Sequence, residues 1–189
     1  PRARRERRRR PLTSRFPADF DGRIGEGWSG ADPDGAHVNV VLAERGSATA
    51  AALLTTFTSP APGHAPILVV VGETKDRYEP VWPPTIMINK ATATEERHQT
   101  ITWGGGQLGI AQGVLDAVAE GLIPCSGDLL VFVAIYVDPA AGDETAVRVA
   151  SRAATLKGVR TAAQGRDPDA AKALVARRDS LRSPFYSGS

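Results

Sequence analysis

The chain has 189 residues, 42% hydrophobic and 23% charged, ordinary proportions for a globular protein with one packed core. Its net charge of +2 is uneven: residues 1–10, "PRARRERRRR", hold seven arginines and one glutamate, so they carry +6 and leave −4 on the rest. The single cysteine, Cys125, excludes an internal disulfide, and the longest apolar run, residues 129–137, falls short of the ~20 residues of a membrane helix.

The arginine run reads as a solvated, disordered tail, because like charges repel and no apolar residue interleaves them. Weak binding to nucleic acid or an anionic partner is its alternative reading, and no nucleic-acid partner is expected of the folded part. No apolar stretch follows it as in a secretory signal. Residues 11–34 form a Pro/Gly/Asp-rich lead-in that gains order near "IGEGWSG".

"AHVNVVLA", 36–43, alternates as a strand, with His37, Asn39 and Val41 on one face and Val38, Val40 and Leu42 on the other. Ser47 can cap a helix over 48–57, which Pro60, Pro62 and Gly63 end. "APILVVVGE", 65–73, is a second strand, and "TKDRYEPVWPP" is a loop. "TIMINKAT", 85–92, is a third strand, followed by the polar stretch "EERHQTITW" and three glycines. The next helix carries a stripe of Leu108, Ala111, Leu115, Val118 and Leu122 and stops before Pro124. A buried strand, 129–137, precedes a long helix over about 144–164 and a short one near 168–179. Helices and strands interleave without strict βαβ alternation, so a single α+β domain with a mixed sheet is expected.

"GGGQLG", 104–109, matches a dinucleotide-binding spacing. The preceding "RHQTITW" is too polar for a buried parallel strand, and Asp138 comes 29 residues after Gly109, later than the ~20 expected. His37, His64 and His98 share no ligand spacing, so no metal is expected. Cys125 reads as a lone structural thiol. Lys90, ending a strand on the face of Ile86 and Ile88, must either reach solvent or meet an anion. His37 is either a satisfied strand-end histidine or a reactive group. Gln107, opening a helix, offers donor and acceptor to a heterocycle edge.

Together, "AHVNVVLAERGS", "TIMINKAT", "GGGQLGIAQGVLDAVAEGLIP" and "RSPFYSGS" resemble the formaldehyde-activating enzymes. The resemblance covers residues 24–189, leaving 1–23 as the tail and lead-in. It implies a fold similar to the second domain of ribosomal protein S5, a homopentamer with sites between subunits, and a cytoplasmic enzyme of one-carbon metabolism and formaldehyde detoxification. The implied activity is a carbon–oxygen lyase that condenses formaldehyde with tetrahydromethanopterin or a related reduced pterin, which is a co-substrate rather than a resident cofactor. The alternatives are a homologue using a different amine and a non-catalytic pterin- or aldehyde-binding protein. By the same resemblance His37 is the general acid, while Asn39, Leu68, Lys90, Thr92 and Gln107 fall on pterin-binding positions. Asn39 stands where the family typically has an aspartate, Leu108 where it usually has a histidine, and the loop "ETKDRYEPVWPP" is about four residues longer than the family's.

Overall fold

The computed structural model describes residues 19–183. The described residues hold seven strands: β1 Arg23–Ser29, β2 Ala36–Glu44, β3 Ile67–Leu68, β4 Val70–Thr74, β5 Arg77–Pro80, β6 Thr85–Asn89 and β7 Leu129–Val137. Between and after them lie α1 Ala48–Leu54, α2 Glu96–Ile101, α3 Gln107–Ala119, α4 Glu144–Gln164 and α5 Pro168–Ala176. Five strands form one sheet in the order β1-β2-β7-β6-β3, and β4 pairs with β5 as a separate hairpin. The β6–β7 pair is parallel, whereas β1–β2, β2–β7 and β3–β6 are antiparallel, so the α+β mixed sheet is the one expected.

The alternation of β2 decides which face is covered. Val38, Val40 and Leu42 are fully buried with Val131, Val133 and Ile135 of β7, under Ile110 and Val114 of α3 and Val147, Ala154 and Val159 of α4. Each such side chain contributes about 1.5–3 kcal/mol on burial. The opposite face is covered at one end by α1, where Ala50 and Leu53 pack with Val41, Ile86 and Phe132. Its other end, at His37, stays open. Ser47 caps α1 by accepting from the Ala50 amide at 3.0 Å, as its position predicts.

Several sequence expectations change. The lead-in contains β1, which the sequence hides because Gly25 and Gly27 occupy its inward positions. A Cβ at Gly25 would overlap the Gly158 carbonyl of α4, and one at Gly27 the Ala154 carbonyl, so only glycine lets the helix lie against this strand. The helix expected over 48–57 ends at Leu54 and tightens into a 3₁₀ turn at Thr55–Phe57. The strand expected at 65–73 is divided into β3 and β4, and the long loop after it contains β5. The polar stretch forms α2, and the glycines form a π-helical turn, Thr102–Gly106, leading directly into α3. A Cβ at Gly104 or Gly105 would come within 2.5 Å of Glu144, so these glycines admit the start of α4 rather than a phosphate. On α3 the buried face is Gly109, Ile110, Ala111, Gly113, Val114 and Ala117, while Leu108 and Leu115 are exposed. Gly109 and Gly113 draw α4 onto their own side of the helix and so override the leucine stripe. The helices run parallel, joined by Arg148 to Gln112, Arg152 to Asp116 and Arg160 to Glu120.

Candidate active site

His37 opens β2 on the open face, with Trp28 of β1 and Tyr136 of β7 as its cross-strand neighbours. The Trp28 ring lies tilted beside the imidazole, centroids 6.1 Å apart. One row along, Glu26, Asn39 and Ala134 pair across the same three strands. Lys90 directly follows β6, held by its amide donating to the Ile135 carbonyl at 2.7 Å. These elements bring four polar side chains into one chain of contacts.

Lys90 Nζ lies 2.5 Å from His37 Nδ1 and donates to Asn39 Oδ1 at 2.9 Å. An ammonium has only protons to give, so Nδ1 accepts and the ring proton of the neutral imidazole sits on Nε2. That Nε2–H donates to Glu26 Oε1 at 2.5 Å. Burial pushes the Lys90 ammonium below its ordinary proton affinity, and the negative charge of Glu26 partly opposes this. Lys90 is therefore an amine that gives up a proton more readily than a surface lysine.

His37, Lys90, Trp28, Tyr136, Asp32 and Asp138 line a cavity of about 360 Å³. The Tyr136 hydroxyl donates to Asp138 Oδ2 at 3.4 Å. Burial, with the nearby Asp138 and Asp32 charges, raises its proton affinity and keeps it a donor. Among the described residues no cluster of three His, Cys, Asp or Glu side chains could hold a metal ion, and no helix is long and apolar enough to cross a membrane.

Of the six residues singled out in the sequence, His37, Asn39 and Lys90 come together. Leu68, on β3 opposite Ile86, is 44% exposed on the same sheet face but outside the cavity. Thr92 donates its hydroxyl to His64 Nε2 at 3.1 Å, because His64 Nδ1 is spent on the Asn89 carbonyl at 2.9 Å. Gln107 heads α3 on the helix side, in a groove against the β4–β5 hairpin. Sequence reasoning missed Glu26, Trp28 and Tyr136. The signal available for the first two was the period-two spacing of Gly25 and Gly27, which leaves the residues between and after them facing the other way.

Residues 24–186 match the family described as "Formaldehyde-activating enzyme (Fae)". The chain belongs to the formaldehyde-activating enzyme family. It is 30% identical to a protein of Methanosarcina barkeri named 5,6,7,8-tetrahydromethanopterin hydro-lyase, over 86% of this chain and 89% of that one. It is 28% identical to a Methanothrix thermoacetophila protein named "Bifunctional enzyme Fae/Hps", over 84% of this chain but 40% of that one. A protein of the same name from Methanosarcina acetivorans is 29% identical over 80% of this chain and 38% of its own. The chain thus spans less than half of the bifunctional proteins and most of the hydro-lyase. In this chain the polar cluster stands on β2, on Lys90 just after β6 and on the glycine-paired edge strand β1.

Proposed function

We propose that this protein joins formaldehyde to tetrahydromethanopterin, giving the methylene-bridged pterin and water, with His37 as general acid. The observation that carries the reading is the contact of Lys90 Nζ with His37 Nδ1 at the mouth of an open cavity, in a chain of this family.

A secondary amine of the pterin attacks the formaldehyde carbon and gives a carbinolamine. The carbon–oxygen bond then breaks, and the departing hydroxyl takes a proton and leaves as water. The remaining iminium is closed by the neighbouring pterin nitrogen, which releases one proton as the second carbon–nitrogen bond forms. One proton is consumed and one returned, so the site must lend a proton and recover it. The Lys90–His37 pair suits this: a proton passed from Nζ to Nδ1 makes the ring an imidazolium, its Nδ1–H, released by the now neutral amine, goes to the departing hydroxyl, and the ring-closure proton returns to Nζ and restores the pair. General acid catalysis of this kind supplies about 10²–10⁴-fold.

The reading extends to assembly and location. Leu68 and Gln107 stand away from the His37 cavity of their own chain, and the open sheet face carries Ile24 at 68% exposure and Trp28 at 38%. Both features suit a homopentamer in which a neighbouring chain completes each site; the same reading takes residues 24–189 as the enzyme domain and the cytoplasm as its location. Leu68, Thr92 and Gln107 then bind pterin from the facing subunit or the cavity rim. A light-scattering mass of five times the 20.0 kDa chain checks the assembly. The activity is checked by mixing the protein with formaldehyde and tetrahydromethanopterin, tetrahydrofolate or simple diamines and following methylene-bridge formation. Acceleration with tetrahydromethanopterin supports the reading; acceleration only with another amine, or none, overturns it.

A further inference from the structure

We infer that Glu26 is the positioning residue for His37, supplying from the edge strand the carboxylate that holds the imidazolium formed when the Lys90 proton passes to the ring. The inference rests on the reading of His37 as the proton donor and assigns a role to a residue outside the predicted site.

The geometry makes the need plain. Lys90 Nζ stands 2.5 Å from one ring nitrogen, so a proton passed along this contact moves the positive charge onto a largely buried ring, which a neighbouring negative charge must stabilise. Among the described residues, Glu26 is the carboxylate hydrogen-bonded to the ring, at 2.5 Å from the other nitrogen. The other charged and titratable groups that face the cavity are Lys90 from the end of β6, Tyr136 from β7, Asp138 just after it, and Asp32 from the β1–β2 loop. Asp138 is engaged with the Tyr136 hydroxyl and the Ala140 amide rather than with His37.

The backbone holds Glu26 in place. Its side chain is 65% exposed and has little packing of its own. Gly25 and Gly27 on either side are pressed against α4, which fixes the pleat of β1 and leaves residue 26 only the site face. The register sets Glu26 opposite Asn39, and Trp28, two residues on, lies opposite His37. Glu26 therefore reaches diagonally to the histidine and fixes the ring with Nδ1 toward Lys90. It also favours the charged form of Lys90, so one carboxylate biases both members of the proton-sharing pair.

The test compares the full chain with Glu26→Gln and Glu26→Asp, together with His37→Ala. Rates are measured across pH, and the three histidine ring signals are titrated by NMR. Glu26→Gln is expected to lower kcat about tenfold while the KM for tetrahydromethanopterin changes less than about twofold. The alkaline limb of the rate should move about one pH unit downward, a tenfold weaker hold on the proton. The His37 signal should move in the same direction, with His64 and His98 as fixed references. Glu26→Asp, which keeps the charge, should hold the limb within about half a unit. A Glu26→Gln protein with wild-type kcat, limb and His37 titration overturns the inference. So does one that changes KM alone, because Glu26 then only binds substrate. If the wild-type protein shows no activity with formaldehyde and the pterin, the proposed function fails, yet the His37 titration still decides whether Glu26 governs that proton.

Discussion

Lys90 meets His37 across one intervening strand: the amine leaves the end of β6, passes β7 and sets Nζ 2.5 Å from Nδ1 at the head of β2. The two residues are 53 positions apart and joined by this contact, with Asn39 Oδ1 bracing the amine at 2.9 Å. The proposed role of His37 as general acid rests on this relationship, which generates the expectations that follow.

Replacing His37 by alanine should remove at least about 10²-fold of the catalysed rate, the lower range of general acid catalysis. The fold should survive, since the His37 side chain lines the cavity and belongs to neither hydrophobic core cluster. Steady-state rates with a parallel thermal melt check both parts. A rate within about threefold of wild type removes His37 from the chemistry.

Lys90→Arg keeps a cation but gives a group that does not release its proton. Its kcat should fall at least about tenfold with pterin binding largely retained, read as a kcat loss without an equal rise in KM.

The lowered proton affinity of Lys90 also sets a pH dependence of stability. Between its folded value and the ordinary value of 10.5, the unfolded chain binds more protons, so stability rises with pH toward 10.5. Lys90→Met lacks this slope. Its Tm relative to wild type should be highest near neutral pH and fall as pH approaches 10.5, which melts in a series of buffers can follow.

Asn39→Asp places a carboxylate against the Lys90 amine and directly across from Glu26. The added charge should raise the rate with tetrahydromethanopterin and move the alkaline limb upward. The gain should stay under about tenfold, because Glu26 already supplies a charge and like charges opposite one another on a sheet are unfavourable. A lower rate with an unmoved limb would mean that Asn39 suits a different amine substrate.

Gly27→Ala tests the support beneath the site. The new Cβ would overlap the Ala154 carbonyl of α4, a backbone atom that cannot move aside alone. Overpacking of this kind costs about 1–3 kcal/mol, which should lower Tm by several degrees. Activity should fall with it, since Glu26 and Trp28 flank the displaced residue.

The amino-acid sequence by itself determined the elements that carry strong local signals. The alternation of 36–43, the apolar run 129–137, the Ser47 cap and the interleaving of helices with strands all specify a mixed-sheet α+β domain, because side-chain period and capping are local properties. It also carried the family motifs that single out His37, Asn39 and Lys90. Tertiary structure decided the rest. Strand β1 has no hydrophobic inner face to announce it, since its inward positions are glycines whose value appears only when α4 lies on them. Gly105 and the buried side of α3, with Gly109 and Gly113, follow the same rule: close backbone approach to α4 outweighs the leucine stripe. Glu26 is 11 residues from His37, in a segment with no strand signal, and Lys90 is 53 residues away. Only strand register sets both on the imidazole, one on each nitrogen, because hydrogen-bonded pairing across a sheet joins residues that share neither neighbourhood nor pattern in the chain.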